Sequence, residues 1–301
     1  AVVGLASGLT RGGRTRRSPA AGELVAGFEA LVRAFVEDGV EGFDAAAREP
    51  PPAPSAPLPR PLHAVVEHDV LISGAEPPPI RRKAIFGNAG CPFALDATRQ
   101  PHHRGLRLPD GVSKLGCAFC HAGGDYRTRP RADVVASLLE QARHFVERGP
   151  TLEALTIIDQ HPTPYLEALM EAAADAGLRP LTWLFQCRAD AFTRERARIA
   201  AAVAAAERAG HRLELYLTGF ESLSDAELAR YNKGVTAAEL VAAVRAMREL
   251  AAAHPDAFAY AETRGHSLIL WSPWTTPEDL LTTVEVVRRE GDEELTRPIA
   301  S

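Results

Sequence analysis

Lysine is nearly absent from this chain. It occurs only at Lys83, Lys114 and Lys233, so arginine supplies almost all of the 34 basic side chains among 301 residues. High-GC coding bias accounts for that imbalance without a functional reading. Cysteine is scarce as well: four in the whole chain, too few for a disulfide scaffold. Such usage points to a reducing, cytoplasmic setting, where clustered cysteines more often bind metal. No charge-free run of eighteen apolar residues occurs, which excludes a membrane-spanning helix. No secretory signal is visible and the chain begins at Ala1, not Met, so it reads as a fragment. A net charge of -5 gives no electrostatic reason to expect nonspecific nucleic-acid binding. With 46% hydrophobic and 24% charged residues, wholesale disorder is excluded.

What is present divides into an N-terminal part, residues 1–80, and a main domain, residues 81–301. The first twenty residues are rich in Gly, Arg and Ser and read as a poorly ordered tail. Leu24, Phe28, Leu31, Val32, Phe35 and Val36 have helical spacing within residues 22–47. Residues 50–61 (PPPAPSAPLPRP) form an extended linker, because proline fixes φ and removes donors. The stretch HAVVEHDVLISG that follows reads as a strand or hairpin.

From Lys83 the pattern becomes β then α, five times over. Strands are expected at Lys83–Gly87, Leu152–Asp159, Leu181–Gln186, Leu213–Gly219 and Ser267–Trp271. Helices are expected at 131–148, 163–177, 193–209, 236–253 and Thr276–Arg289, with Thr236 and Thr275 or Thr276 as N-caps. This alternation implies parallel strands with helical crossovers. The α/β class leaves two architectures, an open doubly wound sheet and a full or partial β/α barrel. In both, chemistry collects at the carboxyl ends of the strands.

Three of the four cysteines fall on the first β-to-α loop: Cys91, then Cys117 and Cys120 in Gly116-Cys117-Ala118-Phe119-Cys120-His121. A Cys-x-x-Cys pair lets two thiolates share one metal centre. Zinc could be held by these three with His102, His103 or His121; an iron–sulfur cluster could take the three thiolates and leave one iron open. Later strands are followed by Asp159-Gln160-His161-Pro162, by Gln186-Cys187-Arg188-Ala189-Asp190, and by Gly219-Phe220-Glu221-Ser222 with Asn232-Lys233-Gly234 beyond. Cys187 reads as packed, His161 and His266 as structural, and Trp271 and Trp274 as shaping the mouth of the site.

Over roughly Lys83 to Arg289 the sequence resembles the radical S-adenosylmethionine superfamily. It is most similar to the branch holding the methylthiotransferases, the cobalamin-binding radical enzymes and the Elongator catalytic subunit. GCAFC resembles the second half of that family's three-cysteine motif. LYLTGFESLSDAELARYNKGVTAAELVAAVRAM resembles its fourth-strand segment, and WSPWTTPEDLL its turn after the fifth strand.

The resemblance implies a partial TIM-like barrel. It also implies a [4Fe–4S] cluster on Cys91, Cys117 and Cys120 that binds and reductively cleaves S-adenosylmethionine. It casts Phe119, Asp159, Gln160, Arg188 and Glu221 as cofactor-binding residues: Phe119 near the adenine, Arg188 on the methionine carboxylate, Glu221 on ribose or amino group. An electron donor such as flavodoxin or ferredoxin is implied, with the substrate, small or macromolecular, unspecified.

The chain departs from the family pattern in three ways. Cys91 and Cys117 are separated by 25 residues where the family has three. Asp159-Gln160 replaces Gly-Gly-Glu after the second strand, although Asp159 could accept the same bond. The sequence ends soon after the fifth helix. Two other readings stand beside this one: a zinc-stabilised β/α binding protein without redox chemistry, and a family-like protein without catalysis.

Overall fold

The computed structural model describes residues 81–96, 101–103, 105, 114–120, 126–260, 266–269 and 272–290. The helix, linker and strand expected before residue 81 lie outside these, as do His121 and Trp271. Among the described residues no helix is long and apolar enough to cross a membrane.

The strands are β1 (Arg82–Phe86), β2 (Leu95–Asp96), β3 (Lys114–Leu115), β4 (Ala154–Ile158), β5 (Thr182–Gln186), β6 (Arg212–Glu221), β7 (Phe258–Tyr260) and β8 (His266–Leu268). The α-helices are α1 (Arg131–Arg148), α2 (Leu166–Asp175), α3 (Ala189–Arg194), α4 (Arg196–Arg208), α5 (Asp225–Arg230), α6 (Ala237–Ala253) and α7 (Pro277–Glu290). The main sheet runs β1-β4-β5-β6-β7, all parallel, and β8 also pairs with β6. This is an α/β fold, consistent with a partial TIM-like barrel. Parallel order follows from the helices between successive strands, since a tight turn cannot return a chain in the same direction.

The sheet has two unlike faces. Leu155, Trp183, Leu213 and Phe258 share one register row and are all buried, as are Ile85, Ile157, Phe185 and Leu215 on the same face. They join the helical residues Leu138, Leu166, Met170, Val203 and Leu240 in a single core. The other face is mixed. Arg82 donates to the Thr156 hydroxyl at 2.6 Å and lies over the Tyr216 ring, and Tyr216 donates to Gln186 at 3.1 Å. At its carboxyl end Phe86 and Ile158, register partners, are 45% and 37% exposed. Elsewhere on this face Thr156, Leu184 and Gln186 are buried.

Among the described residues β1 is the end strand of the sheet, and an edge leaves backbone groups unpaired. Gln141 of α1 fills the place of a neighbour. Its Oε1 accepts from the Phe86 amide at 2.8 Å, and its Nε2 donates to the Phe86 carbonyl at 3.1 Å. That explains why a glutamine sits buried on the apolar face of α1 beside Val134, Leu138 and Phe145.

The expected helix at 131–148 forms over that span and stops at Gly149. Thr236 caps α6 in a reciprocal pair with Glu239. Thr276 and Asp279 exchange the same bonds ahead of α7, whose first residue is Pro277. Other elements differ from expectation. The helix expected at 193–209 begins earlier and is broken at Glu195, which leaves helical angles (φ -107°, ψ 19°). The Glu195 carboxylate is drawn to the Thr163 hydroxyl at 2.6 Å and to His161 Nε2 at 3.5 Å. Helix α5 was not expected, although Ser224-Asp225-Ala226-Glu227 is a capping pattern and Ser224 accepts from the Glu227 amide. Strand β7 was also missed, being three residues long, and β8 covers less than the stretch expected at 267–271.

Candidate metal centre

The loop after β1 leaves the sheet at Gly87. A Cβ there would lie 2.5 Å from the Tyr165 hydroxyl and 2.7 Å from Asp159 Oδ2, a separation only glycine tolerates. Asp159, just past β4, is buried. Its Oδ2 accepts from the Asn88 amide at 2.8 Å and the Tyr165 hydroxyl at 2.7 Å, and its Oδ1 from the His161 amide at 2.8 Å. Burial pushes the Asp159 carboxyl up in pKa, against the pull of those donors. Burial and the Asp159 charge also raise the Tyr126 and Tyr165 hydroxyls. Asp159 therefore pins the loop after β1 to the end of β4. Gln160, the next residue, is exposed.

The 25 residues between Cys91 and Cys117 are drawn together at their base. β2 and β3 pair antiparallel, Leu95 opposite Leu115 and Asp96 opposite Lys114. Closing so long a loop costs little more than closing a short one. Beyond β3, Cys117–Cys120 is a turn in which the Cys120 amide donates to the Cys117 carbonyl at 3.0 Å. None of Cys91, Cys117 and Cys120 is in a disulfide. Cys91 and Cys117 each lie within electrostatic reach of Cys120, Arg188 and Lys233.

The segment Tyr231–Lys233 supports this turn. Tyr231 O accepts from the Ala118 amide at 2.8 Å, and Asn232 Nδ2 donates to Leu115 O at 3.0 Å and Gly116 O at 2.8 Å. Tyr231 is itself held by Glu227 at 2.9 Å and Ser272 at 3.1 Å, and Thr275 donates to Glu227 at 2.5 Å. The turn after β8 thus reaches the cysteines through α5. Phe119 is 41% exposed, lies edge-on to the Tyr231 ring at 5.5 Å, and faces Lys233 Nζ at 5.7 Å.

Arg188, just past β5, has a partner at each of its three nitrogens. Nε donates to Asp190 at 2.8 Å, Nη2 to Lys233 O at 2.6 Å, and Nη1 to Cys117 Sγ at 3.5 Å. Its guanidinium also stacks on Phe93, 3.5 Å from the ring centre. A ligand carboxylate binding there bidentately would displace the Lys233 carbonyl and either Asp190 or Cys117.

Glu221 ends β6 at φ 69°, a left-handed conformation that side chains rarely adopt. Its Oε1 accepts from Lys233 Nζ at 3.0 Å, and both residues are buried. Gly219 makes room for the pair, since a Cβ there would lie 2.3 Å from Glu221 Oε1 and 3.1 Å from Lys233 Nζ. Strain of this kind concentrates where the surrounding structure fixes a functional group.

Burial raises the pKa of the Cys91 and Cys117 thiols. The Phe93 amide, Arg188 and Lys233 counter it at Cys91; Lys233 and Arg188 do so at Cys117. Cys187 is packed in the core, and burial raises its thiol strongly.

The donor set fits an iron–sulfur cluster. Each thiolate of such a cluster binds its own iron, and N–H donors to sulfur tune it; Phe93 N–H on Cys91 and Arg188 on Cys117 are donors of that kind. Among the described residues, no three His, Cys, Asp or Glu side chains stand close enough to hold one metal ion. Of the zinc candidates, His102 and His103 lie in a 3-10 turn beside α5. Of the expected site residues, the structure brings Cys91, Cys117, Phe119, Arg188 and Glu221 around Lys233, with Cys120 beside Cys91 and Cys117. Asp159 is linked to them through Tyr126, which senses both Asp159 and Cys91; Gln160 stands apart.

Sequence reading missed Lys233, Asn232 and Phe93 as site residues. Lys233 carried a signal, being one of three lysines in an arginine-rich chain.

No protein-family model matches the chain, and no curated protein does. Among solved structures it is similar to the apo, selenomethionine-labelled form of OxsB, described as a cobalamin-dependent S-adenosylmethionine radical enzyme. The TM-score is 0.46 and the sequence identity 14%. The match covers 68% of this chain and 26% of that one, so the chain spans about a quarter of the length of OxsB.

Proposed function

We propose that this chain is a radical S-adenosylmethionine enzyme carrying a [4Fe–4S] cluster on Cys91, Cys117 and Cys120. The observation that carries this reading is that Cys91 and Cys117 each lie within electrostatic reach of Cys120, Arg188 and Lys233, at the carboxyl ends of parallel strands. A cluster held by these three cysteines would supply the one electron that reductively cleaves S-adenosylmethionine to methionine and a 5′-deoxyadenosyl radical. The protein's share is to bind, orient and exclude water. Phe119, exposed beside the thiols, offers a ring and backbone groups to the adenine. Glu221, held by Lys233, offers its carboxylate to ribose hydroxyls or the amino group. Asp159 and Arg188 fix the loops on either side of the cysteines. A cytoplasmic location and reduction by a flavodoxin or ferredoxin belong to the same proposal.

The test is anaerobic reconstitution with iron and sulfide. A brown protein with about four irons per chain is expected, with colour lost in Cys117→Ser, Cys120→Ser and Cys91→Ser. Reduction in the presence of S-adenosylmethionine should then release 5′-deoxyadenosine. Stoichiometric zinc in place of iron overturns the reading, as does colour that survives Cys117→Ser. A cluster without cleavage leaves a binding protein, not an enzyme.

A further inference from the structure

We propose that Asn232 is a positioning residue that orders the Cys117–Cys120 turn before any metal arrives; its role toward a cluster rests on the function proposed above. Asn232 is fully buried and sits at φ 52°. The left-handed conformation is unfavourable for a residue with a Cβ. Its Oδ1 is buried with no hydrogen-bond partner among the described residues, a second unfavourable feature. Glycine would relieve both. What asparagine adds is Nδ2, whose two N–H groups donate to Leu115 O and Gly116 O, the carbonyls that lead into Cys117.

The neighbouring residues extend the same contact. Tyr231 O receives the Ala118 amide inside the turn, and Lys233 O receives Arg188, which also reaches Cys117 Sγ. Gly234 (φ 69°) lies so near the other arm that a Cβ would meet Leu95 Cδ1 at 2.8 Å and Phe93 Cζ at 2.9 Å. Four consecutive residues therefore touch both arms of the cysteine loop, one beside Cys117 and one just past Cys91. A loop ordered in advance does not spend binding energy on its own ordering.

Two substitutions isolate the side chain. Asn232→Gly keeps the backbone conformation favourable and deletes both donors. Asn232→Asp keeps shape and removes the donors when ionised. The first measurement is amide hydrogen exchange at Ala118 in the metal-free full chain. The second is iron content and the electron paramagnetic signature of the reduced cluster after reconstitution.

Asn232→Gly should leave the melting temperature of the metal-free protein nearly unchanged. It should speed exchange at Ala118 by about 30-fold, the size of two lost hydrogen bonds, and lower the retained iron. Asn232→Asp should exchange at least as fast. Unchanged exchange in both variants overturns the proposal. So does faster exchange with wild-type iron content and an unaltered signature, because the turn would then be ordered without positioning its thiols. If the unaltered chain takes up no iron, the proposed function falls, and exchange at Ala118 alone decides whether Asn232 orders the turn.

Discussion

Replacing Gly219 with alanine should break a buried ion pair two positions along the chain. The new Cβ would stand 2.3 Å from Glu221 Oε1. A carboxylate at the end of a free side chain would swing away at little cost. Here Oε1 is held by Lys233 Nζ at 3.0 Å, and both residues are buried. Displacing it takes the carboxylate away from the buried Lys233 ammonium, and breaking a buried ion pair costs about 3–5 kcal/mol. Alanine also stiffens the unfolded chain, a gain of about 0.5 kcal/mol where the backbone angles allow it, so the net loss is about 2.5–4.5 kcal/mol.

The cycle is completed with Glu221→Ala. In that background the carboxylate is gone, and Gly219→Ala should be neutral or stabilising by about 0.5 kcal/mol. The coupling is then about 3–5 kcal/mol, within reach of a double-mutant cycle by urea unfolding. With a slope of about 3 kcal/mol per molar urea, the single variant should unfold about 1 M earlier. Equal cost in both backgrounds would refute the reasoning, as would a loss under about 1 kcal/mol in the native background.

Three further outcomes are expected. Gln141→Leu should lower the melting temperature by about 4–8 °C, because two backbone groups of Phe86 lose their partner for a total of about 2 kcal/mol; differential scanning calorimetry checks it. Burial holds the His211 imidazole below its ordinary pKa. The unfolded chain therefore binds the proton first, and stability present above about pH 6.5 is lost as pH falls; urea midpoints at pH 8 and pH 5.5 should differ less in His211→Gln. Asp279 is opposed by burial but held below the usual carboxylate range by Ser224, Thr276 and Arg230. Its contribution exists above about pH 3.9 and vanishes as pH falls through the lower folded value, so Asp279→Asn should be weaker than wild type at pH 7 and equal to it near about pH 2 by circular dichroism.

The parts of this fold that were legible in the sequence are those where one face alone decides the element. Val134, Leu138, Ala142 and Phe145 recur at helical spacing, so α1 could be read end to end. Thr236 and Thr276 carry their caps within four residues. What escaped was decided by contacts from afar. Glu195 breaks a helix because Thr163 and His161 stand opposite it. Gln141 resembles any polar helix residue until β1 proves to be an edge. At the site, three cysteines on one loop were visible, yet their partners were not. Arg188 and Phe93 lie 95 residues apart in sequence and meet only through the sheet order. Asn232 marks no chemistry by itself; its meaning lies in the two carbonyls it touches.

One long strand, β6, serves two short neighbours in succession, β7 and then β8. Leu215 faces Tyr260 and Thr218 faces His266, so three steps along β6 correspond to six along its partner. Each half is fixed by its own bonds to β6. The core half, with Phe258 buried against Leu213, answers to packing. The outer half, leading to Ser272 and Thr275 and through them to Tyr231 and the cysteine turn, answers to the site. Substitutions that retune the site can thus accumulate along the outer half of β6 while the hydrophobic interior keeps its alignment.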